Sequence, residues 1–99
     1  MIYIEKNVIK LELGTGKIIL VGEPKGTSTY SNIKRGIDYS KLNVIKFADN
    51  IEDISISFVQ GFTKEIFNEI QKDEFSKYFK IEGRPEVTDK FYRSLRILY

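Results

Sequence analysis

The 99-residue sequence contains no cysteine and no histidine. Without cysteine the chain has no disulfides, thiolate nucleophiles or zinc–thiolate sites. Without histidine it lacks the commonest metal ligand and the commonest general base near neutral pH. A chain of this length uses most of its apolar side chains for one core, which leaves little for a buried active site. We therefore predict a single domain over residues 1–99, for which carboxylate, lysine or hydroxyl chemistry, or no chemistry at all, remains. An enzyme that uses Asp49, Asp53 and Ser57 is the last alternative, and the preferred interpretation is a domain that is not an enzyme and has no cofactor.

The sequence also has almost no excess of charge of either sign. Its 16 lysines and arginines are balanced by 14 acidic residues, which leaves a net charge of +2. This balance does not favour a nucleic-acid partner. No apolar run approaches the ~20 residues of a membrane span, and Met1 to Lys6 has no signal-peptide pattern, so we expect a cytoplasmic protein. An alternative is a basic, aromatic surface that binds single-stranded nucleic acid, although the sequence contains no motif typical of such proteins. Its members would be Tyr30, Lys34, Arg35, Lys77, Tyr78, Lys80, Arg84, Tyr92, Arg93 and Arg96.

Two apolar runs separated by a glycine turn open the chain. Gly14-Thr15-Gly16 lies between them and predicts a strand, a turn and a second strand over Ile18 to Val21. Lys17 follows these glycines, but no hydroxyl residue follows the lysine as a phosphate-binding loop requires. We expect Gly22 to Gly26 to be a loop, and a short helix over roughly 28–38. The first run consists of Ile2, Ile4, Val8, Ile9, Leu11 and Leu13.

The second half contains the strongest patterns. Leu42 to Phe47 is β-branched and aromatic, which predicts a central strand. After a connector over Ile51 to Ile56, Ser57 and Gln60 match a capping box at the start of an amphipathic helix that reaches residue 72. A short strand near 78–82 precedes a last helix with Pro85 at its first position. The order β-β-α-β-α-β-α predicts an α/β fold, a mixed β-sheet with helices packed on it.

Three carboxylates, those of Asp49, Glu52 and Asp53, follow the predicted central strand. Ligands gather at this edge of open α/β sheets, so a divalent cation is conceivable there. No EF-hand spacing or second acidic cluster accompanies them. Solvated residues of a connector explain them better, and we predict no metal site.

Ser55 and Ser57 are candidates for phosphorylation. A serine at a helix start is exposed and lies beside backbone amides whose partial positive charge favours an anion. A phosphate adds about −1.5 to −2 of charge and would change partner contacts. The alternative is a serine that only caps the helix.

The stretch from Val44 to Val59 resembles the STAS superfamily, the sulfate-transporter and anti-sigma-factor-antagonist domain, and looks closest to compact bacterial and phage STAS-like domains. The similarity lies in an apolar strand, Val44-Ile45-Lys46-Phe47, an acidic connector, and Ser57-Phe58-Val59 at the head of a helix. The resemblance implies a protein-binding α/β domain. It also implies that Ser57 is phosphorylated by a GHKL-type ATPase acting as partner kinase. The regulators carry Asp-Ser-Ser/Thr-Gly, where this chain has Ser55-Ile56-Ser57-Phe58.

We therefore predict a non-enzymatic, regulatory protein-interaction domain, switched by phosphorylation at Ser57. An alternative is a small phage or mobile-element inhibitor that binds a host enzyme or a nucleic-acid complex. Homodimerisation through an edge strand stays open. The predicted partner-binding residues are Asp49, Glu52, Asp53, Ser57, Phe58 and Gln60.

Overall fold

Strands and helices succeed one another along the chain in the computed structural model, which describes residues 5–99. Ile2 and Ile4 of the predicted first run lie outside these residues. The strands are β1 (Lys6–Leu11), β2 (Ile18–Leu20), β3 (Leu42–Phe47), β4 (Ile51–Ile54) and β5 (Phe79–Glu82). The helices are α1 (Glu23–Ile33), α2 (Ile56–Thr63), α3 (Ile66–Glu69), α4 (Phe75–Tyr78) and α5 (Pro85–Leu98), with 3-10 turns at Lys34–Gly36 and Lys72–Glu74.

The strands form two parallel sheets. In the three-stranded sheet β3 lies between β1 and β5, which confirms the predicted central strand. The second sheet pairs β2 with β4, where the sequence predicted only a connector. The α/β class with helices packed on the sheet is confirmed, and every strand pair within residues 5–99 is parallel.

The hairpin expected from the glycine turn between β1 and β2 is wrong, because β1 pairs with β3 and β2 pairs with β4 in a separate sheet. The side-chain amide of Asn50 donates to the carbonyls of Gly14, at 2.8 Å, and Gly16, at 2.9 Å. The Ile18 amide in turn donates to the Asn50 carbonyl at 2.9 Å. These bonds hold the glycine loop against the segment between β3 and β4 rather than folding it into a hairpin.

Helix α1 begins five residues earlier than predicted, so Glu23 to Gly26 is helical rather than a loop. Pro24 fits the first turn of α1, because amides in the first turn have no intrahelical acceptor and a proline there costs no hydrogen bond. Gly26 is buried because α1 crosses α2 at close range: a Cβ there would overlap the carbonyl oxygen of Phe58. A Cβ on Gly61 would likewise overlap the carbonyl oxygen of Glu23. Glycine on both helices thus permits backbone contact.

The amphipathic segment that follows β4 is two helices, α2 and α3, instead of one continuous helix. At the end of α2 the buried Thr63 hydroxyl donates to the Val59 carbonyl at 2.7 Å, a bond that bends helices. The interruption follows at residues 64–65. The apolar face is still buried, and Phe58 and Phe62 stack with ring centroids 5.9 Å apart.

Helix α5 begins at Pro85, as predicted. It ends at Leu98, and its Val87 and Phe91 side chains are fully buried. Phe91 packs edge-on against Phe62 of α2, so α5 and α2 cover the same side of the sheet. In the described part of the chain, no helix has the length and apolar character needed to cross a membrane.

Candidate partner-binding surface at the start of helix α2

Ser55 lies between β4 and α2 and organises the local backbone. Its hydroxyl oxygen accepts from the Phe58 amide at 3.0 Å and from the Gly22 amide at 3.1 Å. Gly22 precedes α1, so one side chain joins the starts of two helices. The Ser55 and Ser57 hydroxyl oxygens lie 3.0 Å apart. Because both lone pairs of Ser55 are occupied, Ser55 donates this bond and Ser57 accepts it.

The expectation that Ser57 caps the helix is wrong, because the N-cap is Ser55. Ile56 is already helical, which puts Ser57 in the first turn, where its side chain cannot reach the amides that a cap serves. Gln60 is exposed on the same helix. The helix thus starts two residues earlier than the capping-box pattern indicates.

Exposed apolar residues lie in the segments that hydrogen-bond to Ser55 or adjoin it in the chain. The Ser55 amide donates to the Leu20 carbonyl at 2.9 Å, which holds the end of β2 beside the start of α2. Val21 follows directly and is 61% exposed, while Ile19 is 63% and Ile56 is 40% exposed. We call these three residues, together with Ser57 and Gln60, the α2 entry surface.

The other predicted partner-binding residues are dispersed. Phe58 is fully buried against Phe62 and is not available to a partner. Glu52 and Asp53 are half-buried on β4, whereas Asp49 is exposed in the segment between β3 and β4. Asp49 instead lines a cleft at the end of the three-stranded sheet.

Asp53 is held by an ion pair with α5, since Lys90 Nζ donates to Asp53 Oδ1 at 3.0 Å. This hydrogen bond is the main reason that the pKa of Asp53 is lowered. Nowhere within residues 5–99 do three acidic side chains converge into a group that could hold a metal ion. Of the three carboxylates considered in the sequence, only that of Asp53 makes a hydrogen bond or an ion pair with another of residues 5–99.

Three members of the basic, aromatic set have other local roles. Tyr30 is only 4% exposed, and burial raises its pKa. Lys34 pairs with Glu65 at 2.7 Å, and Lys80 pairs with Glu82 at 3.3 Å. These two lysines therefore have carboxylate partners within the protein.

A cleft of about 840 Å³ at the carboxyl ends of β1, β3 and β5 was not foreseen from the sequence. Lys10 and Lys46 line it as directly paired residues of adjacent strands. Both lysines are exposed. Their adjacency depends on the strand register, which the sequence pattern alone does not specify.

Comparisons with protein-family models, with curated proteins and with solved structures found no match for the chain.

Proposed function

We propose that the chain is a non-enzymatic regulatory domain that binds a partner protein through the α2 entry surface. The observation that carries the proposal is the half-buried Ser57, which follows the exposed Ile56 in the chain, while Ser55 bonds to the Leu20 and Gly22 backbone on either side of the exposed Val21. Exposed apolar groups that cluster beside polar ones are typical of protein interaction sites. The resemblance to STAS-like domains supports the same role.

Phosphorylation of Ser57 would switch this surface. The Ser57 hydroxyl accepts one bond, from Ser55, and holds no backbone amide of the helix start. A phosphate there would leave the cap intact and place about two negative charges in the first turn of α2, where the helix dipole favours an anion. The same charge would disfavour contact between Val21, Ile56 and an apolar partner surface. By the family resemblance, the kinase is a GHKL-type ATPase that is itself the partner.

The test is affinity capture from a lysate of the source organism, quantified by mass spectrometry, with wild type and four variants. Ser57→Asp mimics the charge, and Ser57→Ala removes only the hydroxyl. Val21→Gln removes an apolar contact from the α2 entry surface. Its matched control is Val8→Gln, since Val8 is 54% exposed on β1.

We expect wild type, Ser57→Ala and Val8→Gln to retain one ATPase, while Ser57→Asp and Val21→Gln lose most of it. The purified ATPase should then phosphorylate the wild type and not Ser57→Ala. Equal capture by all five proteins would refute the assignment of the surface. Loss with Val21→Gln but not with Ser57→Asp, and no phosphorylation, would instead support an inhibitor that binds a host enzyme.

A further inference from the structure

Strand β2 is paired along one edge. The Ile18 amide donates to the Asn50 carbonyl, and the Leu20 carbonyl accepts from the Ser55 amide, both at 2.9 Å. Ile18 and Leu20 therefore face β4. Because alternate residues of a strand direct their backbone groups to opposite edges, the N–H and C=O groups of Ile19 point away from β4. Among residues 5–99 these two groups have no hydrogen-bond partner.

The free edge of β2 is apolar. Ile19 is 63% exposed, and Val21, which follows the strand, is 61% exposed. Their side chains lie on the opposite face from Leu20, which is buried in the core. Strand β2 contains neither a proline nor a charged residue. An exposed apolar edge of this kind is a template for pairing with another strand, and a sheet of two strands is marginally stable by itself.

The outer edges of β4 and β5 are closed by side chains. On β5 the Ile81 amide donates to the Tyr92 hydroxyl of α5 at 3.0 Å. On β4 the Ile54 amide donates to the Asp53 carboxylate at 2.9 Å, and Lys90 of α5 donates to the same carboxylate. A strand added at either edge would have to displace these bonds. Neither edge is therefore open to pairing.

The outer edge of β1 is protected by charge instead. The Glu5 carbonyl accepts from the first amide of β3, so every second residue after Glu5 faces β3, and Lys6, Val8 and Lys10 direct their backbone groups outwards. If residues 6–10 of two copies paired in antiparallel orientation, Lys6 of one copy would lie opposite Lys10 of the other. Like charges at directly opposed positions destabilise a sheet, and edge lysines are a common protection against such pairing.

We infer that two copies of this chain pair through β2 in antiparallel orientation, with a two-fold axis at Ile19. The Ile19 amide of each copy donates to the Ile19 carbonyl of the other, and the two isoleucine side chains pack across the axis. Lys17 of each copy lies opposite Val21 of the other, so no like charges meet. The four strands then form one sheet in the order β4-β2-β2-β4.

The dimer is weak, because so short an edge buries less than the ~1,200 Å² of a standard interface. We expect a Kd above about 1 µM. Ile19 and Val21 also belong to the α2 entry surface, so self-association and binding of the ATPase exclude each other. This last consequence rests on the proposed function, whereas the dimer itself does not.

The first test is sedimentation equilibrium of the purified full chain from about 1 µM to about 1 mM. Ile19→Lys puts two ammonium groups opposite each other at the axis. Its matched control is Val8→Lys, which makes the same charge change at the exposed edge position of β1. We expect wild type and Val8→Lys to dimerise with similar Kd values, and Ile19→Lys to raise the Kd about tenfold or more.

The second test is disulfide cross-linking, which the absence of cysteine from the sequence makes specific. Hydrogen-bonded pairs in antiparallel strands have Cα atoms about 5.5 Å apart, a separation that a disulfide spans. Under mild oxidation Ile19→Cys should therefore form a covalent dimer much faster than the control Val8→Cys. This comparison needs no disruptive substitution, since both positions are more than half exposed.

A wild type that stays monomeric up to about 1 mM would overturn the dimer. Equal weakening by Ile19→Lys and Val8→Lys, or equal cross-linking rates of the two cysteine variants, would overturn the assignment of the interface to β2. Both tests use the purified chain alone. Their failure therefore counts against self-association and not against the proposed binding of an ATPase.

Discussion

Ser55 and Ser57 have hydroxyl oxygens 3.0 Å apart, yet only Ser55 holds the backbone that begins α2. Ser55 also accepts from the Gly22 amide ahead of α1. The structural role at the two helix starts therefore belongs to Ser55. The regulatory role that we propose belongs to Ser57, which holds no backbone amide.

This division predicts different stability losses for two alanine variants. Ser55→Ala leaves two helix-start amides without their acceptor, so we expect the free energy of unfolding to fall by about 1–2 kcal/mol. Ser57→Ala removes one hydroxyl contact and should change it by less than about 0.5 kcal/mol. Urea unfolding monitored by circular dichroism measures both. Equal losses, or a larger loss for Ser57→Ala, would contradict the assignment of Ser55 as the cap.

The crossing of α1 and α2 predicts that Gly26→Ala is strongly destabilising. The new methyl group would overlap the Phe58 carbonyl oxygen, and backbone cannot move aside as a flexible side chain does. We expect a loss of about 2–3 kcal/mol or more. Gly36→Ala is the matched control, because its nearest neighbour is a side-chain carbon of Ile9 at 3.7 Å. A thermal unfolding midpoint for Gly26→Ala at or above that of Gly36→Ala would show that the helices do not cross in this way.

The fully buried Asn43 joins three segments. Its side-chain oxygen, Oδ1, accepts hydrogen bonds from the side-chain amide of Asn7 and from the backbone amide of Asp38, both at 2.9 Å. Its side-chain NH₂ donates to the Asp38 carbonyl at 2.9 Å and the Tyr78 carbonyl at 3.0 Å. Replacement leaves several buried groups without partners.

Asn43→Ala should therefore lower the free energy of unfolding by about 3 kcal/mol. Asn32→Ala removes the same side chain from an exposed position of α1 and should stay within about 0.5 kcal/mol of the wild type. Guanidinium unfolding compares the two variants. A cost below about 1 kcal/mol for Asn43→Ala would mean that the network is not formed in solution.

The Lys90–Asp53 ion pair predicts a pH-dependent contribution to stability. The hydrogen bond from Lys90 lowers the pKa of Asp53 below its ordinary value of 3.8. A lowered carboxyl pKa stabilises the fold above the unfolded-state value, and this contribution is lost as the pH falls through the lower, folded-state value. Both side chains are partly exposed, so the contribution stays below about 1 kcal/mol.

NMR titration of the Asp53 carboxyl carbon should give a pKa below 3.8 in the wild type, rising towards that value in Lys90→Gln. The stability difference between these two proteins should shrink as the pH falls below about 4. Lys64→Gln is the control for the loss of one positive charge. An Asp53 pKa that does not respond to Lys90→Gln would rule out the pair.

Much of the fold follows from local pattern. The run Leu42 to Phe47 predicted β3 at its observed boundaries, and Pro85 predicted the start of α5. These elements were predictable because β-branched and aromatic residues favour strands, and proline fits the first turn of a helix. The serine pair was also found from the sequence, since both residues lie where a strand gives way to an amphipathic helix.

Local pattern does not specify which elements touch. Glycine has a low helix propensity, so Gly26 by itself disfavours a helix. Its position in α1 is explained only by the close approach of α2, which leaves no room for a Cβ atom. The capping hydroxyl belongs to Ser55 because the Gly22 amide, 33 residues earlier in the chain, lies beside it.

The sequence by itself determined the single α/β core, the central strand, the last helix and the candidate serines. Only the tertiary structure decided that β2 pairs with β4, that Asn43 joins three segments, and that Lys10 faces Lys46. The physical reason is that periodicity reports which face of an element is buried. Register and partner choice depend on hydrogen bonds and packing between residues far apart in the chain.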